Sequence, residues 1–304
     1  MVVVVRRGDP GVIEEIVPKS AASAESFGGS LGTGLFPEEA ILVARATEKR
    51  RQEFTTGREC ARGALAALGV AAAPILRGYR GAPQWPDGVV GSITHCDGYC
   101  AAAVARGQDL LAIGLDAEPN APLPGGVLEL VSLPAERARL RELAVASPAM
   151  GWDRLLFCAK EAVYKAWFPL TGKWLGFADA DITIDAGERT FTARLQVPAP
   201  VVNGAPLTSF TGSWLANEDL VLAAIAVPVL PALTLLAPLP AARPKPVFSP
   251  SSVSRSYLAP SLLSPKTRVR ASARGKARSV FACSRSSPQA ARGGEWPLSA
   301  DLCA

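Results

Sequence analysis

Apolar positions along the chain change period several times, and the changes mark out its elements. Leu110 to Leu115 is a nearly unbroken apolar run; Asp116 and Glu118 then flank Ala117, and Pro119 ends the segment. Its length and the proline stop predict a short buried strand. Residues two apart on a strand share a face, so Asp116 and Glu118 point the same way as Gly114, while Ile113, Leu115 and Ala117 face a core. The missing side chain of Gly114 lets a ligand or a second backbone come close on the acidic face. Between Trp152 and Trp167, the residues Leu155, Leu156, Ala159, Val163 and Ala166 recur at helical spacing, with Pro169 and Gly172 as stop signals. Glu161 and Lys165, four apart, share one helix face, with Lys160 about a third of a turn away.

Upstream, Glu38 to Leu68 predicts a basic helix on which Arg51, Arg58 and Arg62, spaced by seven and four, fall on one side. Pro83 to Cys96 predicts a loop punctuated by proline and glycine that runs into a strand carrying Ser92, Thr94 and the chain's one histidine, His95. Thr208 to Ala216 and Leu220 to Val227 predict a pair of strands. The uncharged stretch from Leu220 to Ala242 is long enough to cross a bilayer. Pro228, Pro231, Pro238 and Pro240 oppose a continuous helix there, so no membrane association is expected. The Val2 to Val5 run is too short for a signal-peptide core.

Asp116, Glu118 and Glu161 with Lys160 and Lys165 supply three carboxylates and two ammonium groups. Carboxylates sharing a face suit a hard divalent cation such as magnesium, and lysines beside them suit phosphate oxygens, which points to a metal-assisted site for a phosphorylated ligand. Each piece has a plainer reading. Glu161 and Lys165 could be an exposed helix pair worth about 0.2–0.5 kcal/mol. The strand acids could mark a polar strand end, His95 a hydrogen-bonded structural position, and the basic helix a solvated face. Their combination favours the site, with His95 beside Ser92 and Thr94 as a partly charged anion contact.

The net charge of +5 hides an asymmetry: residues 239–304 hold 11 Lys/Arg against 2 Asp/Glu, leaving 21 against 25 in the first 238. That basic tail, rich in Ser, Pro, Ala and Arg, is expected to be disordered, with no specific nucleic-acid role. The six cysteines form no disulfide framework, and reduced thiols in a cytoplasmic protein are expected. Neighbours on a strand point oppositely, so His95, Cys96 and Cys100 make no zinc site.

Three motifs, in order, carry a resemblance. Trp85-Pro86 through Gly91-Ser92-Ile93-Thr94-His95, then Gly114-Leu115-Asp116-Ala117-Glu118, then Phe157-Cys158-Ala159-Lys160-Glu161-Ala162-Val163-Tyr164-Lys165 resemble the signature of the larger, surfactin- and enterobactin-type 4′-phosphopantetheinyl transferases. The similarity spans roughly Ala40 to Val227, and the Ala117-Glu118-Pro119 wording is similar to an actinobacterial branch.

The resemblance implies an α+β fold of two similar sheet-plus-helix halves, a pseudo-dimer with the active site between them: residues 14–109 binding coenzyme A and residues 110–238 carrying the magnesium and catalytic motifs, followed by the tail at 239–304. It implies transfer of 4′-phosphopantetheine from coenzyme A to a serine of an acyl or peptidyl carrier protein, with release of adenosine 3′,5′-bisphosphate, in a monomer. Asp116, Glu118 and Glu161 match the ligands of Mg2+, for which Mn2+ is possible, and Glu161 also matches the general base. Lys160 and Lys165 match phosphate contacts, and His95 the residue at the 3′-phosphate. Arg50 or Arg51, Arg58, and Arg77 or Arg80 are the coenzyme A candidates, with Ser92 and Thr94 beside them. Trp174 and Phe177 read as core or as a shield for the pantetheine arm rather than as a separate binding motif, and the neighbouring loop with the helix expected around Glu129 to Leu143 as the region that meets the carrier. Two other classes fit the same residues: a magnesium-dependent nucleotide pyrophosphate hydrolase, and a non-catalytic coenzyme A or carrier-protein binder.

Overall fold

A computed structural model describes Val3, Val4 and residues 12–229; the tail expected from residue 239 lies outside the described residues. The strands are β1 (Val3–Val4), β2 (Ala21–Phe27), β3 (Val89–Cys96), β4 (Tyr99–Arg106), β5 (Leu110–Pro119), β6 (Ala180–Asp185), β7 (Thr190–Leu195), β8 (Val201–Val202), β9 (Ala205–Pro206), β10 (Ser209–Ala216) and β11 (Leu220–Pro228). The α-helices are α1 (Pro37–Leu42), α2 (Glu48–Ala67), α3 (Val127–Val131), α4 (Pro134–Ala146) and α5 (Trp152–Thr171). Two antiparallel sheets form, in the orders β1-β2-β4-β3 and β5-β11-β10-β7-β6, with β8 and β9 as a separate ribbon. Helix α2 packs on the first sheet and α5 on the second, so the α+β reading holds as two sheet-plus-helix halves.

Strand alternation explains how both faces of each sheet are used. On β4, Cys100, Ala102 and Val104 meet Cys60, Ala61, Ala64 and Leu65 of α2. The intervening Ala101, Ala103 and Ala105 join Ile113, Leu115 and Ala117 of β5 and Leu222 and Ala224 of β11 in a core shared by the two halves. On β11, Val221, Ala223 and Ile225 turn instead to Leu155, Ala159, Ala162, Val163 and Ala166 of α5.

Several element bounds differ from the sequence expectation for local reasons. The single helix expected over Glu38 to Leu68 is two, because Thr47 starts a new one: its Oγ1 accepts from the Arg50 N–H at 3.3 Å. The helix expected over Glu129 to Leu143 is likewise split, with Pro134 at the first position of α4 and the Glu136 carboxylate accepting from the Leu133 N–H at 2.7 Å. Helix α5 continues through Pro169 and ends where Gly172 takes φ 64°. The uncharged Leu220 segment begins as strand β11, and no helix among the described residues is long and apolar enough to cross a membrane.

The edge strands β3 and β5 face each other without a backbone ladder. Two buried hydroxyls link them: Ser92 Oγ accepts from the Leu115 N–H at 3.0 Å, and Thr94 Oγ1 from the Ala117 N–H at 2.9 Å. Thr94→Val keeps the shape but leaves that buried N–H without an acceptor, so the unfolding free energy is expected to fall by about 1–3 kcal/mol. Urea denaturation checks this, and an unchanged midpoint would contradict it.

Candidate active site

The seam between β3 and β5 carries the strand acids, and α5 closes over them. Asp116 and Glu118 leave β5 on the same side, as alternation requires, and both are buried. Gly114, two residues earlier, is where helix and strand touch: a Cβ there would lie 1.9 Å from the Ala162 carbonyl oxygen and 2.8 Å from the Ala166 nitrogen. That approach brings Glu161 and Lys165 to the strand acids. Lys165 Nζ donates to Asp116 Oδ1 at 2.8 Å and to the Leu115 carbonyl at 3.0 Å, and Thr94 Oγ1 donates to the same Asp116 oxygen at 3.2 Å. Glu118 Oε2 accepts from Arg154 at 3.0 Å. Asp116 Oδ2 and Glu161 Oε2 are buried without a hydrogen-bond partner.

Burial and crowding set the charge states. Burial pushes the Glu161 carboxyl up to about 8, with Asp116 adding to the rise and Lys165 opposing it. Glu118 is pushed up to about 7 by burial and then by Asp116, with Arg154 opposing. As placed, no three His, Cys, Asp or Glu side chains among the described residues stand close enough to hold one ion. The donor set nonetheless suits a hard divalent cation: oxygen ligands only, two of them buried and unsatisfied. With all three carboxyls ionised, as a bound ion would hold them, they would exceed the two cations Lys165 and Arg154 by one negative charge, which a divalent ion would turn into the single positive charge an anionic diphosphate calls for.

The other expected residues fall in different places. Lys160 has its three donors on Glu136 Oε1 at 2.8 Å and on the Phe177 and Ala180 carbonyls, both at 2.6 Å. Glu136 in turn accepts from the Ile182 N–H at 2.6 Å, so this buried pair fastens α4 and β6 to α5. The hydroxyls of Ser92 and Thr94 are engaged on β5. His95 accepts at Nε2 from Arg50 Nη1 at 2.8 Å, which places its ring proton on Nδ1. Burial, then Arg50 and Lys165, lowers its pKa to about 4, so the imidazole is neutral here and not the partly charged group expected from sequence.

Arg58 is buried, donates from Nε to the Ile75 carbonyl at 2.7 Å and lies over the Phe54 ring; its Nη2 has no partner. Arg77 lies over the same ring. Arg51 is exposed and 3.6 Å from Glu48, while Arg62 is buried against Glu39 at 2.8 Å. Arg80, at φ 55°, lies over Tyr79 and Trp174. Trp174 is 41% exposed, so of its two readings the core one fails; its ring lies 5.1 Å from Tyr164. A cavity of about 320 Å³ opens beside Lys165, with Arg58, Arg80, Trp85, Ser92 and Tyr164 in its walls. Sequence reasoning missed Arg154 and Glu136. Arg154 carried a readable signal, standing seven residues before Glu161 and therefore on the same helix face.

Residues 37–105 match the 4′-phosphopantetheinyl transferase N-terminal domain and residues 112–217 the 4′-phosphopantetheinyl transferase superfamily. The chain is 60% identical over 193 residues to 4′-phosphopantetheinyl transferase Svp of Streptomyces mobaraensis, covering 64% of this chain and 78% of that protein. It is 50% identical over 218 residues to PptT of Mycobacterium tuberculosis, covering 70% of this chain and 95% of that one. To Npt of Nocardia iowensis it is 50% identical over 223 residues, covering 71% and 99%. The chain belongs to the 4′-phosphopantetheinyl transferase superfamily, in an actinobacterial-like branch, and is a transferase that moves phosphopantetheine from coenzyme A to carrier proteins.

Proposed function

We propose that this transfer takes place at the acid cluster between the two halves, with a magnesium ion, or manganese in its place, held by Asp116, Glu118 and Glu161. The observation that carries the reading is the pair of buried, unpartnered oxygens, Asp116 Oδ2 and Glu161 Oε2; the Lys165 that bonds Asp116 also lines a cavity that has Arg58 and Arg80 in its walls. A divalent ion bound there supplies charge neutralisation to the diphosphate and its leaving group. Glu161, held ionised by the bound ion, would take the proton of the carrier serine. The serine oxygen then bonds to the β-phosphorus as the bond to the bridging oxygen breaks, and adenosine 3′,5′-bisphosphate departs with the electron pair. Lys165 fixes Asp116 and contributes positive charge to the cavity, where Arg58 and Arg80 are placed to meet other phosphate oxygens. Arg51, Arg77 and His95 remain candidates for the rest of coenzyme A, with Ser92 and Thr94 acting through the backbone of β5. Lys160 acts through Glu136 by holding α4, part of the region proposed to meet an acyl or peptidyl carrier protein.

Intact-mass spectrometry of an apo carrier protein incubated with the full chain, coenzyme A and magnesium tests this, with a chelated control. The expected result is a magnesium-dependent gain of one phosphopantetheine on the carrier, lost in the isosteric Asp116→Asn. A gain that survives chelation would overturn the metal reading, and free phosphopantetheine with an unmodified carrier would favour hydrolysis.

A further inference from the structure

Helix α5 presents three ionisable groups to the strand acids, at intervals of seven and four residues: Arg154, Glu161 and Lys165. Lys165 secures Asp116 and Arg154 secures Glu118, so each strand acid has one helix cation of its own. The Arg154 guanidinium also does more than pair. Nη1 donates to Glu118 Oε2, Nε to the Ala121 carbonyl and Nη2 to the Pro122 carbonyl, each at 3.0 Å. One planar fork therefore fixes the carboxylate and the two carbonyls that follow β5 in the same frame. The neighbouring contacts stiffen that frame from the same end of α5: Asp153 Oδ2 accepts from the Leu123 N–H at 2.9 Å, and Asn120 Oδ1 from the Gly151 N–H at 3.0 Å.

We infer that Arg154 is the positioning residue of Glu118: it holds one carboxylate oxygen, orients the other toward Asp116 and Glu161, and thereby sets the strength with which the acid cluster holds a divalent cation. The inference rests on the divalent-ion reading of those acids. A lysine could supply the charge at this position but has no planar fork to reach the carboxylate and both carbonyls together. Outer groups that orient metal ligands typically change metal affinity by about 10–100-fold when removed, and that is the size of effect assigned to Arg154.

The test is Mn2+ binding to the full chain, read from the electron paramagnetic resonance signal of free Mn2+, for the unmodified protein, Arg154→Ala, Arg154→Lys and Asp153→Asn. Arg154→Ala is expected to raise the dissociation constant by about 10–100-fold, Arg154→Lys to fall between it and the unmodified protein, and Asp153→Asn, which loosens the same loop without touching Glu118, to leave it unchanged. If Arg154→Ala cannot be obtained folded, Arg154→Lys carries the comparison. Equal affinity in the arginine variants overturns the inference, as does an equal loss in Asp153→Asn, which would assign the effect to the loop. No Mn2+ binding by the unmodified protein overturns the divalent-ion reading itself and this inference with it.

Discussion

Glu161→Gln is expected to lose transfer by about 10²–10⁴-fold, the usual range for removing a general base, and at the same time to make the chelated protein more stable at pH 8. The two effects share a cause. Glu161 is buried beside Asp116, and its carboxyl is raised to about 8, against about 4.3 for an unperturbed glutamate. Above pH 4.3 or so the unfolded chain has lost this proton while the folded chain keeps it. Stability from this group is therefore fully present below the unfolded value and drains away as pH rises through about 8, at up to about 1.4 kcal/mol per unit. Glu118, raised to about 7, adds the same trend over a shorter window. Because the acids share one cluster, a net gain on the order of 2–4 kcal/mol for Glu161→Gln at pH 8 is the expected size. Thermal melts across pH 5–8 with a chelator decide the matter. A variant no more stable than the unmodified protein at pH 8, or one that still transfers at the full rate, would remove Glu161 from the role given to it.

Gly114→Ala is expected to destabilise the protein by about 4 kcal/mol or more, beyond the 1–3 kcal/mol usual for an extra methyl in a packed core. A side chain tip could swing away from a new methyl group. Here the obstacles are the Ala162 carbonyl oxygen at 1.9 Å and the Ala166 nitrogen at 2.8 Å, both backbone atoms of a twenty-residue helix. The strand or the helix as a whole must retreat, and either movement parts Asp116 from Lys165. Guanidinium denaturation should show a large drop in midpoint, accompanied by loss of transfer; a variant with the original midpoint would mean that β5 and α5 do not touch at this point.

The acids of the site were legible because each lies on an element whose period is plain: alternation on β5 fixed the common side of Asp116 and Glu118, and four-residue spacing on α5 joined Glu161 to Lys165. Gly114 was read correctly as a place of close approach, and the structure makes the visitor a helix backbone. Lys160 was harder. Its angular position on α5 was right, but its partner Glu136 lies 24 positions earlier on another helix, and nothing local to either residue announces the pair. The charge of His95 was misjudged for a similar reason, since Arg50 arrives from α2 and burial follows from the assembled fold. The split between α1 and α2 was within reach, because Thr47 before Glu48 and the arginine-rich turn is a helix start in its own right.

The seam between β3 and β5 has an evolutionary implication. A backbone ladder tolerates almost any residue, since every amino acid except proline brings the same N–H and carbonyl. A link made by hydroxyls does not: at Ser92 and Thr94 only a side chain with an oxygen one atom beyond Cβ can accept the Leu115 and Ala117 amides. Restriction to serine or threonine at these two positions would thus follow from the joining of the halves, whatever ligand is bound. Selection acting on architecture would there leave the same trace in the sequence as selection acting on chemistry.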